Sequence, residues 1–121
     1  PRLIEVGSGD WTGRQLDELS SDPGWNRYNS FRSSTRAPGG ELMTDIASRV
    51  VDEMEELRHR HPNQSVALFS HGDVIKVAVA QYAGIAFDLM HRLEISPASI
   101  SIIQLADWGC RILAVNMTSQ P

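Results

Sequence analysis

The string Phe69-Ser70-His71-Gly72-Asp73 sets a hydroxyl, an imidazole and a carboxylate beside a glycine, where the apolar run Val66-Ala67-Leu68-Phe69 gives way to a helix-like stretch from Val74. In open α/β sheets ligands collect at this kind of junction, because strand carboxyl ends and helix amino ends converge on one crevice. The free N–H groups of the first helical turn also favour an anion there. The same five residues suit a histidine that only caps a strand. A serine hydrolase pair of Ser70 and His71 is disfavoured, since adjacent residues on a strand point to opposite faces and no Gly-x-Ser-x-Gly elbow is present. A metal held by His71 and Asp73 lacks a third ligand at a persuasive spacing.

The surrounding pattern is that of an α/β fold. Residues 65–69 read as a short apolar strand covered on both faces in a parallel sheet, and residues 73–82 as a largely buried helix closed by Gly84. Leu42, Ile46, Val50, Met54 and Leu57 recur at spacings of three and four, which predicts a helix over residues 41–60, stopped by Pro62. On that helix Asp45, Arg49 and Glu53 fall at i,i+4 positions and read as a surface charge ladder. Residues 14–20 predict a short helix presenting Leu16 and Leu19 and stopped by Asp22-Pro23-Gly24, with a long loop over residues 25–40. Residues 87–92 suit another short helix, and residues 99–105 and 111–116 two strands joined around Asp107-Trp108-Gly109.

Composition narrows the function classes. The chain has 121 residues, the size of a single domain, and a net charge of −4. Its ten arginines and single lysine, Lys76, are scattered, so no basic stripe suggests nucleic acid. No apolar run approaches a membrane-spanning length, and no signal-peptide pattern opens the chain. Cys110 is the only cysteine, which excludes an internal disulfide, offers no cysteine pair to a metal, and fits a cytoplasmic setting.

Three strings in order, Glu5-Val6-Gly7-Ser8-Gly9-Asp10-Trp11-Thr12-Gly13, Pro38-Gly39-Gly40-Glu41 and Ser70-His71-Gly72, followed by the approach His91-Arg92-Leu93-Glu94-Ile95-Ser96-Pro97, span nearly the whole chain. Together they resemble the histidine phosphatase, or phosphoglycerate mutase-like, superfamily. The resemblance implies a three-layer α/β/α sandwich with a mostly parallel central sheet, here N-terminally incomplete, with residues 1–121 forming one domain. It implies phosphoryl transfer through a phosphohistidine on a phosphorylated small molecule, with no cofactor and no metal. By resemblance Glu5 protonates the leaving oxygen, His71 is the second, supporting histidine, and Ser70 and Gly72 are substrate-binding positions, Gly72 letting the backbone approach phosphate. The chemistry is coherent: a carboxyl group beside a phosphate dianion keeps its proton because like-charge repulsion disfavours the carboxylate, and an imidazole at a helix N-terminus faces developing charge.

The departure from the family pattern lies in the nucleophile. The family's Arg-His-Gly string precedes the position of Glu5, and the textual near-match Arg60-His61-Pro62 closes a polar helix end with proline in place of glycine. His59 and His61 read as exposed helix-terminal residues complementing the macrodipole. The nucleophile is therefore expected upstream of Pro1, and the 121-residue chain alone is expected to be inactive, because groups that act as a unit fail together. Residues 65–69 would also lack a neighbouring strand, so the upstream segment is expected in the uncut gene product in the first place, or else through a homodimer or a strand-completing second chain. The alternative is a catalytically inactive phosphate-binding or assembly module of the same fold.

Overall fold

The fold comes from a computed structural model that describes residues 1–119. The apolar stripe of the central helix has the expected outcome: after two short helices, α1 (Leu16–Leu19) and α2 (Pro23–Ser30), the chain forms α3 over Met43–Arg60. Asp45 starts α3 by accepting from the Leu42 N–H at 3.0 Å, while the Asp45 N–H donates to the Leu42 carbonyl. Asp45 is the third helical residue, and its carboxylate reaches back to satisfy the N–H of the N-cap, Leu42. A fourth helix, α4 (Gly72–Ala83), begins directly after His71 and ends on Gly84 in the left-handed region. Met43, Ile46 and Val50 of α3 form one buried cluster with Val74 and Val77 of α4 and Met90 of a following 3-10 segment, Phe87–Arg92. Each such fully buried aliphatic side chain contributes about 1.5–3 kcal/mol, so this face anchors the molecule.

The chain then forms β1 (Ile100–Ala106) and β2 (Gly109–Met117), an antiparallel pair in which Ala106 faces Gly109 and Ile103 faces Ile112. Among the described residues this two-stranded sheet is the only one, and the mostly parallel sheet of a three-layer sandwich is not seen within it. Residues 65–69, expected as a strand covered on both faces, have no ladder partner. Val66 and Leu68 are about two-fifths exposed and Phe69 is 90% exposed. Among the described residues no strand pairs with this run, so its backbone groups find no ladder and its apolar side chains stay exposed.

Two further expectations are corrected. Residues 25–40 are not one long loop, since α2 occupies their first part. Asp22-Pro23-Gly24 starts that helix instead of only ending the previous one: the Asp22 carboxylate accepts from the Gly24 N–H at 2.9 Å, and Pro23 sits in the first turn, where its missing N–H costs nothing. In α1, Leu19 is buried but Leu16 is 69% exposed.

Residues 1–15 carry no strand and only one 3-10 turn, Gly9–Trp11. They are held by close backbone contact with residues 37–41. The Asp10 N–H donates to the Pro38 carbonyl at 2.7 Å and the Glu41 N–H to the Gly7 carbonyl at 2.9 Å. A Cβ at Gly9 would lie 2.2 Å from the Pro38 carbonyl oxygen, and one at Gly40 would lie 2.5 Å from the Gly7 carbonyl oxygen. The two glycine strings are thus two sides of a single contact.

Side chains complete the attachment. The Glu41 carboxylate accepts from the Gly7 N–H at 2.8 Å and is gripped by Arg49 through Nε and Nη2, both at 3.1 Å. Arg49 also donates to the carbonyls of Arg2, at 2.6 Å, and Glu5, at 3.4 Å. It is no member of a surface ladder with Asp45 and Glu53, because its guanidinium turns off the helix to the amino-terminal segment. Arg2 pairs with Glu53 and Glu56. Burial alone would raise the Glu41 pKa, but the Arg49 hydrogen bonds and the Gly7 N–H outweigh it and hold the carboxyl below its ordinary range.

Gly9→Ala is expected to destabilise the protein by about 3 kcal/mol or more in denaturant unfolding, since backbone must move. Gly13→Ala, at a positive φ with open space around it, should cost only about 1–2 kcal/mol; equal losses would contradict the contact. Glu41→Gln should cost on the order of 1–2 kcal/mol at neutral pH. Because the folded-state carboxyl is depressed, its contribution is present above the ordinary carboxylate range and disappears as pH falls through the lowered value. The stability gap between wild type and Glu41→Gln should therefore close on acidification.

Candidate active site

His71 is the residue immediately before α4, with extended backbone at φ −117° and ψ 158°, and its carbonyl accepts from the Ile75 N–H at 2.9 Å. The burial of Val74 and Val77 fixes the helix, and the helix fixes where His71 emerges. Glu5 approaches from the amino-terminal segment. Its Oε2 lies 3.7 Å from His71 Nδ1, and both side chains are half exposed. Glu5 Oε1 accepts from the Val6 N–H at 2.9 Å, which orients the carboxylate. The structure thus brings together two residues separated by most of the chain.

The other two expected positions behave differently. The Ser70 hydroxyl donates to the Leu3 carbonyl at 2.6 Å, tying the residue before His71 to the segment that carries Glu5. That bond takes the hydroxyl proton away from any partnership with His71. A Cβ on Gly72 would meet only the Ile95 carbonyl oxygen, at 3.9 Å. The packing around Gly72 therefore leaves room for a side chain.

Beside Glu5 opens a cleft of about 280 Å³, bounded by Trp11, Arg14, Trp25, Tyr28, Arg32 and Asp73 among others. Trp11 meets Trp25 and Tyr28 edge-on, each at 5.5 Å between centroids, so the floor is a braced aromatic cluster. Arg32, which sequence reasoning passed over, is 4% exposed. Its Nη2 donates to Asn29 at 2.8 Å, its Nη1 reaches Asp73 at 3.4 Å, and its guanidinium carbon sits 3.9 Å from the Tyr28 ring centroid. Its Nε is buried with no hydrogen-bond partner among the described residues. Burial pushes the Tyr28 hydroxyl pKa up, partly opposed by Arg32. His91 is pushed below the ordinary imidazole range by burial and by the positive charges of Arg32 and Lys76, against the pull of Asp73. Reading Asp22-Pro23 as a helix start would have placed Tyr28 on a helix and Arg32 just beyond its end.

A second cavity of similar volume, between α3 and Phe87, has Asp52 as its only charged lining residue. With no cation it suits an anion poorly, so the cleft at Glu5 is the better candidate. Among the described residues no three His, Cys, Asp or Glu side chains gather as a metal-binding group. No described helix is long and apolar enough to cross a membrane.

Comparison with known proteins agrees with the order of the motifs. Residues 1–118 match the histidine phosphatase superfamily (branch 1). Phosphoserine phosphatase 1 of Hydrogenobacter thermophilus is 27% identical over 119 residues, covering 97% of this chain and 56% of the relative. Probable phosphoglycerate mutase GpmB of Erwinia tasmaniensis is 29% identical over 112 residues, covering 89% of this chain and 52% of the relative. The chain thus spans about half the length of these curated relatives. Among solved structures, Bacillus stearothermophilus YhfR superposes with a TM-score of 0.89 at 23% identity, over 98% of this chain and 60% of that one. Mycobacterial glucosyl-3-phosphoglycerate phosphatase Rv2419c, solved with inorganic phosphate, gives 0.81 at 23% identity, over 99% and 64%. With Glu5 of an arginine-lined cleft set against the His71 ring, and with residues 1–118 matched by the family model, this chain belongs to the histidine phosphatase superfamily.

Proposed function

We propose that this chain is the C-terminal portion of a single phosphoglycerate mutase-like domain, in a phosphoryl-transfer enzyme that hydrolyses or transfers a phosphomonoester through a phosphohistidine. The nucleophilic histidine comes from outside residues 1–121. Glu5 donates the proton to the leaving oxygen, and His71 supports the transferred group. Ser70 and Gly72 flank it as substrate-binding positions. The observation that carries the reading is the 3.7 Å approach of the cleft-lining Glu5 carboxylate to the His71 ring. Two such groups side by side can serve one phosphate, the carboxyl at the bridging oxygen and the imidazole at a non-bridging one. The names of the relatives, a phosphoserine phosphatase and a probable phosphoglycerate mutase, favour this reaction class.

The same proposal includes the rest of the fold. The complete domain is a three-layer sandwich in which residues 65–69 enter a mostly parallel sheet, and the exposure of Val66, Leu68 and Phe69 supports a strand arriving there from outside the described residues or from a second chain. The enzyme works in the cytoplasm on a phosphorylated small molecule.

The full-length gene product is expected to hydrolyse a generic phosphomonoester, with Glu5→Gln and His71→Ala each lowering the rate by about 10²–10⁴-fold. Unchanged rates in both variants would end the assignment. Protection from thermal unfolding by inorganic phosphate, with no hydrolysis of any ester, would instead favour a catalytically inactive phosphate-binding module.

A further inference from the structure

We propose that Arg49 and Glu41 are positioning residues for Glu5, an inference that rests on Glu5 acting as the proton donor. The segment carrying Glu5 has no helix or strand until the turn at Gly9–Trp11. Its backbone polar groups must therefore be held by something else. One guanidinium does much of this: Arg49 donates to the carbonyl three residues before Glu5 at 2.6 Å and to the Glu5 carbonyl itself at 3.4 Å. The Glu41 carboxylate, gripped by the same guanidinium at 3.1 Å on both oxygens, takes the Gly7 N–H at 2.8 Å. The Glu5 backbone is bracketed on both sides by one ion pair.

The pair is built to be stiff. The Arg49 side chain is 17% exposed and that of Glu41 30%, so solvent screens it less than it screens the surface pairs. The contact is a planar fork on a carboxylate, which a lysine cannot reproduce. The fork rides on α3, whose Ile46 and Val50 are buried in the core beside α4. Glu5 and His71 are thereby referred to the same helix pair, Glu5 through Arg49 and His71 through the start of α4. A loosened fork would let the carboxyl drift from the leaving oxygen while the nucleophile and the phosphate site stay in place.

That selectivity separates positioning from general fold support. As the bond between phosphorus and the ester oxygen breaks, the phosphoryl group passes to the nucleophilic nitrogen and the Glu5 proton passes to the departing oxygen. A nitrophenolate leaves readily without that proton, whereas an alkoxide does not. The experiment measures kcat/KM of the full-length protein on 4-nitrophenyl phosphate and on glycerol 2-phosphate, for wild type, Glu5→Gln, Arg49→Lys, Glu41→Gln and the double variant Glu5→Gln with Arg49→Lys.

Glu5→Gln should lose roughly tenfold or more on the alkyl ester beyond its loss on the aryl ester, within the range of general acid catalysis. Arg49→Lys and Glu41→Gln should show the same selective loss, and Arg49→Lys should add nothing to it in the Glu5→Gln background. Should Arg49→Lys fail to fold, Glu41→Gln carries the test by itself. Equal losses on both esters in the Arg49 and Glu41 variants, with the split intact in Glu5→Gln, overturn the positioning role alone. No split in Glu5→Gln, or a wild type that cleaves neither ester, overturns the functional reading and this inference with it.

Discussion

A stretch of chain without a ladder or a helix of its own must take its hydrogen bonds from its neighbours, and residues 1–8 are in that position. Their partners are a carboxylate and a guanidinium from α3 and its lead-in, a hydroxyl from Ser70, and the backbone of residues 37–41. Without these partners Glu5 would have no defined location. The contact between the Gly7-Ser8-Gly9 and Pro38-Gly39-Gly40 stretches is so close that side chains at Gly9 or Gly40 would run into backbone. Strings that look like independent signatures in the sequence are thus halves of one physical object, a seam that brings the acid-bearing segment onto the helical core.

The cleft is built from both sides of that seam. Trp11 follows directly on the glycine contact and meets Trp25 and Tyr28 of α2. Arg32 closes the other side by reaching from the end of α2 to Asp73 in the first turn of α4. A buried guanidinium with one unpartnered nitrogen is costly, and its stacking on Tyr28 and its bonds to Asn29 and Asp73 offset that cost. The helix carrying His71 at its start is in this way fastened to the wall that faces Glu5.

Much of this was legible in the residues, and the exceptions have physical causes. Helical spacing located α3 because its buried stripe depends on which residues share a face, and an almost unbroken apolar run closed by Gly84 located α4. The hairpin followed from alternating apolar residues around Asp107-Trp108-Gly109, and the pairing of Glu5 with His71 followed from the order of the strings. Periodicity could not foresee Arg49, since it says which face a residue occupies and not that the guanidinium will bond to carbonyls 44 and 47 positions away. Asp22-Pro23-Gly24 was ambiguous because proline and glycine stop one helix with the same chemistry that starts the next. The apolar run at residues 65–69 announces burial but carries no information about what covers it.

The pairing of Arg32 with Asp73 has an effect that extends beyond the cleft walls. Two opposite charges 3.4 Å apart present little net field at a distance, and the chain around them carries a net charge of −4. A dianion approaching these residues would therefore be screened from their net charge beyond about 8 Å, the screening length at physiological ionic strength, and would meet mild repulsion only inside that distance. Only at contact range would it feel individual donors. Salt, which weakens most encounters between charged partners by screening an attractive field, would for these residues screen a repulsive one.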